Sequence, residues 1–259
     1  MKKTLISGLL ILLSFQHVFA QQLDDFSWIS TFSKGFRMEI VVITGYTGSS
    51  SDVTIPDSIH EIPVTLLDDG AFADKGLTSV VIPDSVKEIG ESAFANNRLT
   101  RVAFPDSITV IMANAFANNR LTSVDLPAHI GAIHDGAFSN NLLTSVNLPS
   151  GLDFVGAGAF ARNRLTGIAI PDSLCIIAPA VFAHNLLTDI VIHDEVIWIE
   201  YAAFAENPLT SITIGEGVFL NWEVLGDGGS FDRVYTDGGR LAGTYTRANA
   251  ESTEWVREE

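Results

Sequence analysis

The chain has almost no cysteine. Cys175 stands alone among 259 residues, so no internal disulfide can form and stability has to come from packing. Cationic residues are scarce as well: 15 Lys and Arg face 31 Asp and Glu, for a formal net charge of −16. Nucleic acid, whose phosphates need a basic surface, is therefore excluded as a partner, and so is unaided binding to anionic lipid. Past residue 20 no run is apolar enough to span a membrane. Sequence signatures of chemistry are missing too. No His-Glu-x-x-His stretch occurs, and no phosphate-cradling Gly-rich loop opens a helix. His60, His129, His134, His184 and His193 are scattered, with His129 and His134 split by a turn. "GDGGSFD" (226–232) lacks the alternating acids of a calcium loop and reads as a structural turn. Cys175 falls on an outward position, without a neighbouring His in its register. No catalytic residue, metal ligand or cofactor is expected.

The first twenty residues, "MKKTLISGLLILLSFQHVFA", read as a cleaved signal peptide. Lys2 and Lys3 precede an apolar run over 5–13, and Val18 and Ala20 occupy the small-residue positions before Gln21. Its removal leaves a net charge of −18. With no lipid-anchor Cys after the site, the expectation is a secreted, periplasmic or cell-surface protein with no direct membrane insertion.

The rest of the chain is dominated by a period. Phe72, Phe94, Phe116, Phe138, Phe160, Phe182 and Phe204 are each 22 residues apart. Leu77 to Leu209 and Asn97 to Asn207 keep the same step. Such a period marks a stack of units, none of which can bury its apolar face alone. In the unit 99–120, "LTRVAFP" predicts a short strand with Leu99, Val102 and Phe104 inward. Pro105 lacks a backbone donor and ends it, and "PDS" turns the chain. "ITVI" is a second extended piece with Ile108 and Ile111 inward, and "AFANN" returns Phe116 to the core and closes the turn. Coils should sit about 4.8 Å apart, as paired strands do. The Phe then form a spine, and buried Asn amides serve the turns of neighbouring coils.

"LTSVVIPDSVKEIGESAFANN" (77–97) resembles the BspA-like leucine-rich repeat family, and the resemblance extends over about 53–220. Here the unit is one residue shorter than is usual in that family, Asn replaces a frequent Cys, and a Gly is lost at Met112, His134, Ala178 and Glu200. The resemblance implies a β-rich solenoid, a right-handed coil of 22-residue units with N- and C-terminal caps, and a non-enzymatic exported module that binds another protein. "FRMEIVVITGYTG" (36–48) is similar to part of the family's N-terminal cap, without the hairpin turn that often precedes it. "FDRVYTDGGRLAGTYTR" (231–247) is similar to the C-terminal segment, where Tyr235, Leu241 and Tyr245 can cover the last coil. The tail "ANAESTEWVREE" reads as frayed, apart from a docking role for Trp255. The organisation is thus signal peptide 1–20, cap 21–52, solenoid 53–220, and cap with tail 221–259.

Function belongs where the copies disagree. On the first-strand face, which the resemblance makes the concave one, Arg101, Ser123, Asp125, Ser145, Asn147, Asp189 and Ser211 stand among ladders of small residues and are the candidate protein-binding positions. Arg98, Arg120, Arg162 and Arg164 form a basic rim opposite an acidic one of Asp57, Asp84, Asp106, Asp172 and Asp194, which are read as turn formers. In the second extended piece, Phe154, Ile176 and Trp198 replace the family's usual polar residue. Either the C-terminal segment covers them, or they are an exposed contact patch. Two rival readings are a self-associating structural or adhesive component and a calcium- or glycan-binding surface protein. The partner's identity and the oligomeric state are open.

Overall fold

The computed structural model describes residues 23–32 and 38–258. The signal peptide lies outside them. The chain is a β-solenoid of about eight turns at a spacing of about 22 residues. Its second extended pieces pair in parallel from coil to coil: Ile62–Leu67, Glu88–Ile89, Val110–Ile111, Ala132–Ile133 and Phe154–Val155 form one ladder. Ile176–Ile177, Trp198–Ile199 and Phe219–Leu220 form another.

The first-strand face departs from the sequence expectation. Among the described residues, pairing there is confined to Asp52–Thr54 with Ser79–Val81, to Asp189–Ile192 with Ser211–Ile214, and to single bridges Val81–Ala103 and Ala103–Asp125. In the middle coils the Thr122, Thr144 and Thr166 amides reach Thr100, Thr122 and Thr144 carbonyls at 3.3–3.4 Å, beyond ordinary hydrogen-bond length. The inward side chains keep their places even so: Val102, Val124 and Val146 are buried.

The coils are held tightest at the Phe turn. Each Phe amide from Phe72 to Phe182 donates to the carbonyl before the next Phe, as from Phe94 to Ala115 and Phe138 to Ala159 at 2.8 Å. The seven rings stack at centroid spacings of 4.9–6.0 Å and 7–16° between planes. The doubled Asn of "AFANN" has two separate causes. Asn96, Asn118 and Asn140 sit at φ of 58°, 58° and 54°, a left-handed conformation Asn tolerates better than most residues. Asn97, Asn119 and Asn141 point inward. The Asn119 Oδ1 accepts from the Leu99 amide at 3.1 Å, and its Nδ2 donates to the Phe94 and Phe116 carbonyls at 2.9 and 3.2 Å. One amide thus ties two coils and satisfies main-chain groups that water cannot reach.

Both ends differ from their sequence readings. A hairpin precedes the first coil after all: Phe26–Phe32 pairs antiparallel with Glu39–Tyr46, and Phe26 and Tyr46 pack against Phe72 at the end of the ring stack. The separation of these strands hid the hairpin, because no short turn signal joins them. At the far end a helix, Ser230–Asp237, buries Phe231 and Tyr235. The Tyr235 hydroxyl donates to the Gly215 carbonyl at 2.6 Å. Gly243–Thr246 pairs antiparallel with Ser211–Ile214. Tyr245 is buried, but Leu241 is exposed. The tail is not frayed. Val256–Arg257 adds a further strand, and Trp255 is buried between Phe231 and the Arg247 guanidinium, 4.7 Å from its ring.

Candidate functional site

Two surfaces gather the residues singled out in the sequence. On the first-strand face Arg101, Ser123, Asp125, Ser145, Asn147 and Asp189 are exposed. The Asp189 carboxylate accepts from the Thr188 hydroxyl at 3.0 Å. Ser211 is half-buried, because it pairs with Thr246 of the returning C-terminal strand. Arg101, Ser123 and Asp125 come together with Thr100 and Thr122 around an open depression of about 500 Å³, which therefore presents both charge signs.

The basic rim is less regular than its sequence suggests. All four arginines are exposed, but Arg98, Arg120 and Arg164 share one register while Arg162 lies two residues earlier. Arg162 occupies the left-handed turn position held by Asn in other coils, at φ 58°. Leu142 interrupts the line between Arg120 and Arg164.

The second surface is the apolar one. Phe154, Ile176 and Trp198 are 45%, 53% and 44% exposed. Parallel pairing sets Ile176 beside Trp198, and Trp198 beside Phe219, which is itself exposed. The C-terminal segment does not fold over this line. Gly243–Thr246 runs instead onto the opposite face by pairing with Ser211–Ile214, and the Arg240 guanidinium lies 4.4 Å from the Phe219 ring. Ile197, Tyr201 and Trp222 add exposed apolar area in the same coils. Sequence counting missed Phe219 because it follows Trp198 by 21 residues, so a strict 22-residue register lands on Leu220.

Among the described residues no group of three or more His, Cys, Asp and Glu is placed to hold a metal, and no helix is long and apolar enough to cross a membrane. Cys175 is exposed. The "GDGGSFD" segment starts the C-terminal helix. The Asp227 carboxylate accepts from the Ser230 amide and the Trp255 indole, and the buried Asp232 Oδ2 accepts from the Glu223 amide at 2.6 Å. The other Asp232 oxygen has no partner, and burial pushes this carboxyl up to about 6.

The BspA type leucine rich repeat region matches this chain in six copies, over residues 65–187 and 175–220. Among solved structures, a leucine-rich repeat protein from Bacteroides ovatus ATCC 8483 superposes with a TM-score of 0.63 at 21% identity, over 78% of this chain and 61% of that one. The leucine rich repeat protein TpLRR from T. pallidum gives a TM-score of 0.58 at 23% identity, over 71% of this chain and 87% of that one. At such identities the likeness shows the fold alone. The chain spans about three fifths of the length of the Bacteroides ovatus protein. A search of characterised proteins by sequence gives no significant match. With six repeats matched over more than half of its length, the chain belongs to the BspA-type leucine-rich repeat family.

Proposed function

We propose that this chain is an exported, non-catalytic recognition module that binds another protein through its solenoid surface. The family is typically extracellular or surface-attached, and its fold typically non-catalytic. The observation that carries the reading is the line of Phe154, Ile176, Trp198 and Phe219. Consecutive coils expose large apolar side chains there, where the family resemblance leads one to expect polar residues. A contiguous exposed apolar patch is a mark of an interaction site, and aromatic residues at the centre of such a patch tend to dominate binding. The depression around Arg101 and Asp125 supplies a second, charged contact on the other face.

Affinity capture from a cell-surface extract tests the reading with three proteins: wild type, I176S/W198S and R101E/D125K. All four side-chain changes are on exposed positions, so the fold is expected to survive. A specific partner should be retained by wild type and lost by I176S/W198S, with R101E/D125K reporting whether the charged face contributes. Equal recovery by all three proteins removes the solenoid surface as the binding site.

A further inference from the structure

The first strand of the hairpin, Phe26–Phe32, ends the eight-stranded sheet. Among the described residues it pairs on one side only, with Glu39–Tyr46. Half of its backbone donors and acceptors therefore face outward, which makes it a template for another strand. Natural edge strands are usually blunted by inward-pointing charge, proline or extreme shortness. This one has seven residues, "FSWISTF", with no charge and no proline, in a chain of net charge −16. Ile29 and Phe32 are 54% and 70% exposed. One bulge lies between Ser27 and Trp28, and from Trp28 to Phe32 the strand is regular.

The order of side chains in that regular stretch identifies the occupant. Trp28-Ile29-Ser30-Thr31-Phe32 is symmetric in kind about Ser30: an aromatic residue at each end, a β-branched one on each side, and Ser at the centre. A two-fold interface needs this property, because each position meets its mirror position in the other copy. Antiparallel pairing centred on Ser30 sets Trp28 of each copy opposite Phe32 of the other, and Ile29 opposite Thr31. Aromatic and β-branched cross-strand pairs are among the favourable ones. We propose that the Trp28–Phe32 edge is a self-association site, at which a second copy of this chain pairs antiparallel about Ser30 and joins the two solenoids through a continuous sheet. This site shares no residue with the apolar line or the charged depression, and it stands or falls separately from them.

The test uses the Cys175→Ser protein, which removes the chain's one native thiol. Sedimentation velocity over a wide micromolar range should show a monomer–dimer equilibrium. Ser30→Lys sets two ammonium groups against each other and should give monomer, with unchanged circular dichroism because Ser30 is exposed. Under mild oxidation Ser30→Cys should form a disulfide-linked dimer, since directly opposed residues in antiparallel strands lie about 4.5–5.5 Å apart at Cα, within disulfide reach. Ile29→Cys alone should not cross-link, but should do so when mixed with Thr31→Cys. A monomer at every concentration overturns the proposal. So does a dimer that is indifferent to Ser30→Lys and not linked through Ser30→Cys, because its interface then lies elsewhere.

Discussion

Replacing one buried asparagine tests whether the amide ladder holds the coils together. Asn141 accepts from the Leu121 amide at 3.0 Å and donates to the Phe116 and Phe138 carbonyls at 2.9 and 3.1 Å. Both carbonyls keep a second donor, because Asn119 also reaches Phe116 and Asn163 also reaches Phe138. In Asn141→Ala only the Leu121 amide loses its partner outright. A buried orphan costs about 1–3 kcal/mol, and two further bonds are lost from shared carbonyls, so the expected loss is about 2–4 kcal/mol. Asn97 makes a sharper case. It accepts from the Lys75 and Leu77 amides and donates to the Phe72 carbonyl. Residue 75 is Lys where later coils have Asn, so among the described residues no second side-chain amide serves Phe72. Asn97→Ala strands both Leu77 N–H and Phe72 C=O, and should cost more than Asn141→Ala, about 3–5 kcal/mol by the same reckoning. Asn141→Asp adds a pH signature. Its carboxylate faces two carbonyl oxygens in a dry site, which raises its folded-state pKa. Stability is then poorest at neutral pH and recovers as the pH falls through that raised value, when an O–H can donate again. Urea denaturation followed by circular dichroism measures all three, with Asn140→Gly as the control on an exposed residue already at φ 54°. If Asn141→Ala loses no more than the control, within the roughly 0.5 kcal/mol typical of surface changes, the ladder is not what joins the coils.

The buried Asp232 should make the wild-type protein more stable in mild acid than at neutral pH. Burial is the main cause of its rise from 3.8 to about 6, opposed by the Glu223 and Val224 amides and aided by the charges of Asp227 and Glu223. A raised folded-state value means the contribution is complete below the unfolded value and lost as pH climbs through about 6, by roughly 3 kcal/mol in all. Asp232→Asn should raise the melting temperature at pH 8 (an alkaline setting well above about 6) and flatten its pH dependence; a lower melting temperature there contradicts the assignment. Gly156→Ala should destabilise by about 1–3 kcal/mol, since a Cβ there would stand 2.5 Å from the Asp135 main-chain nitrogen. Gly167→Ala, with open space around it, should be close to neutral in the same thermal melt.

The interior was legible from the chain alone because every coil meets an identical neighbour. A Phe, Leu or Asn that fits one interface fits all of them, so the ladders announce themselves as a period. The burial of Asn97 through Asn185 follows the same logic, whereas the left-handed conformation at Asn96, Asn118 and Asn140 came only with the structure. What the period could not carry was decided by contacts that occur once. The hairpin at the start depends on pairing between Phe26–Phe32 and Glu39–Tyr46, which lie outside the repeating units. The tail is ordered because Trp255 finds a slot between Phe231 and Arg247 that exists only after the helix has packed. Phe219 joins the apolar line through a one-residue slip that pairing corrects and counting does not. The line stays open to solvent for one reason of register. The returning strand found its hydrogen-bond partners on Ser211–Ile214, at the far face, and left Trp198 uncovered.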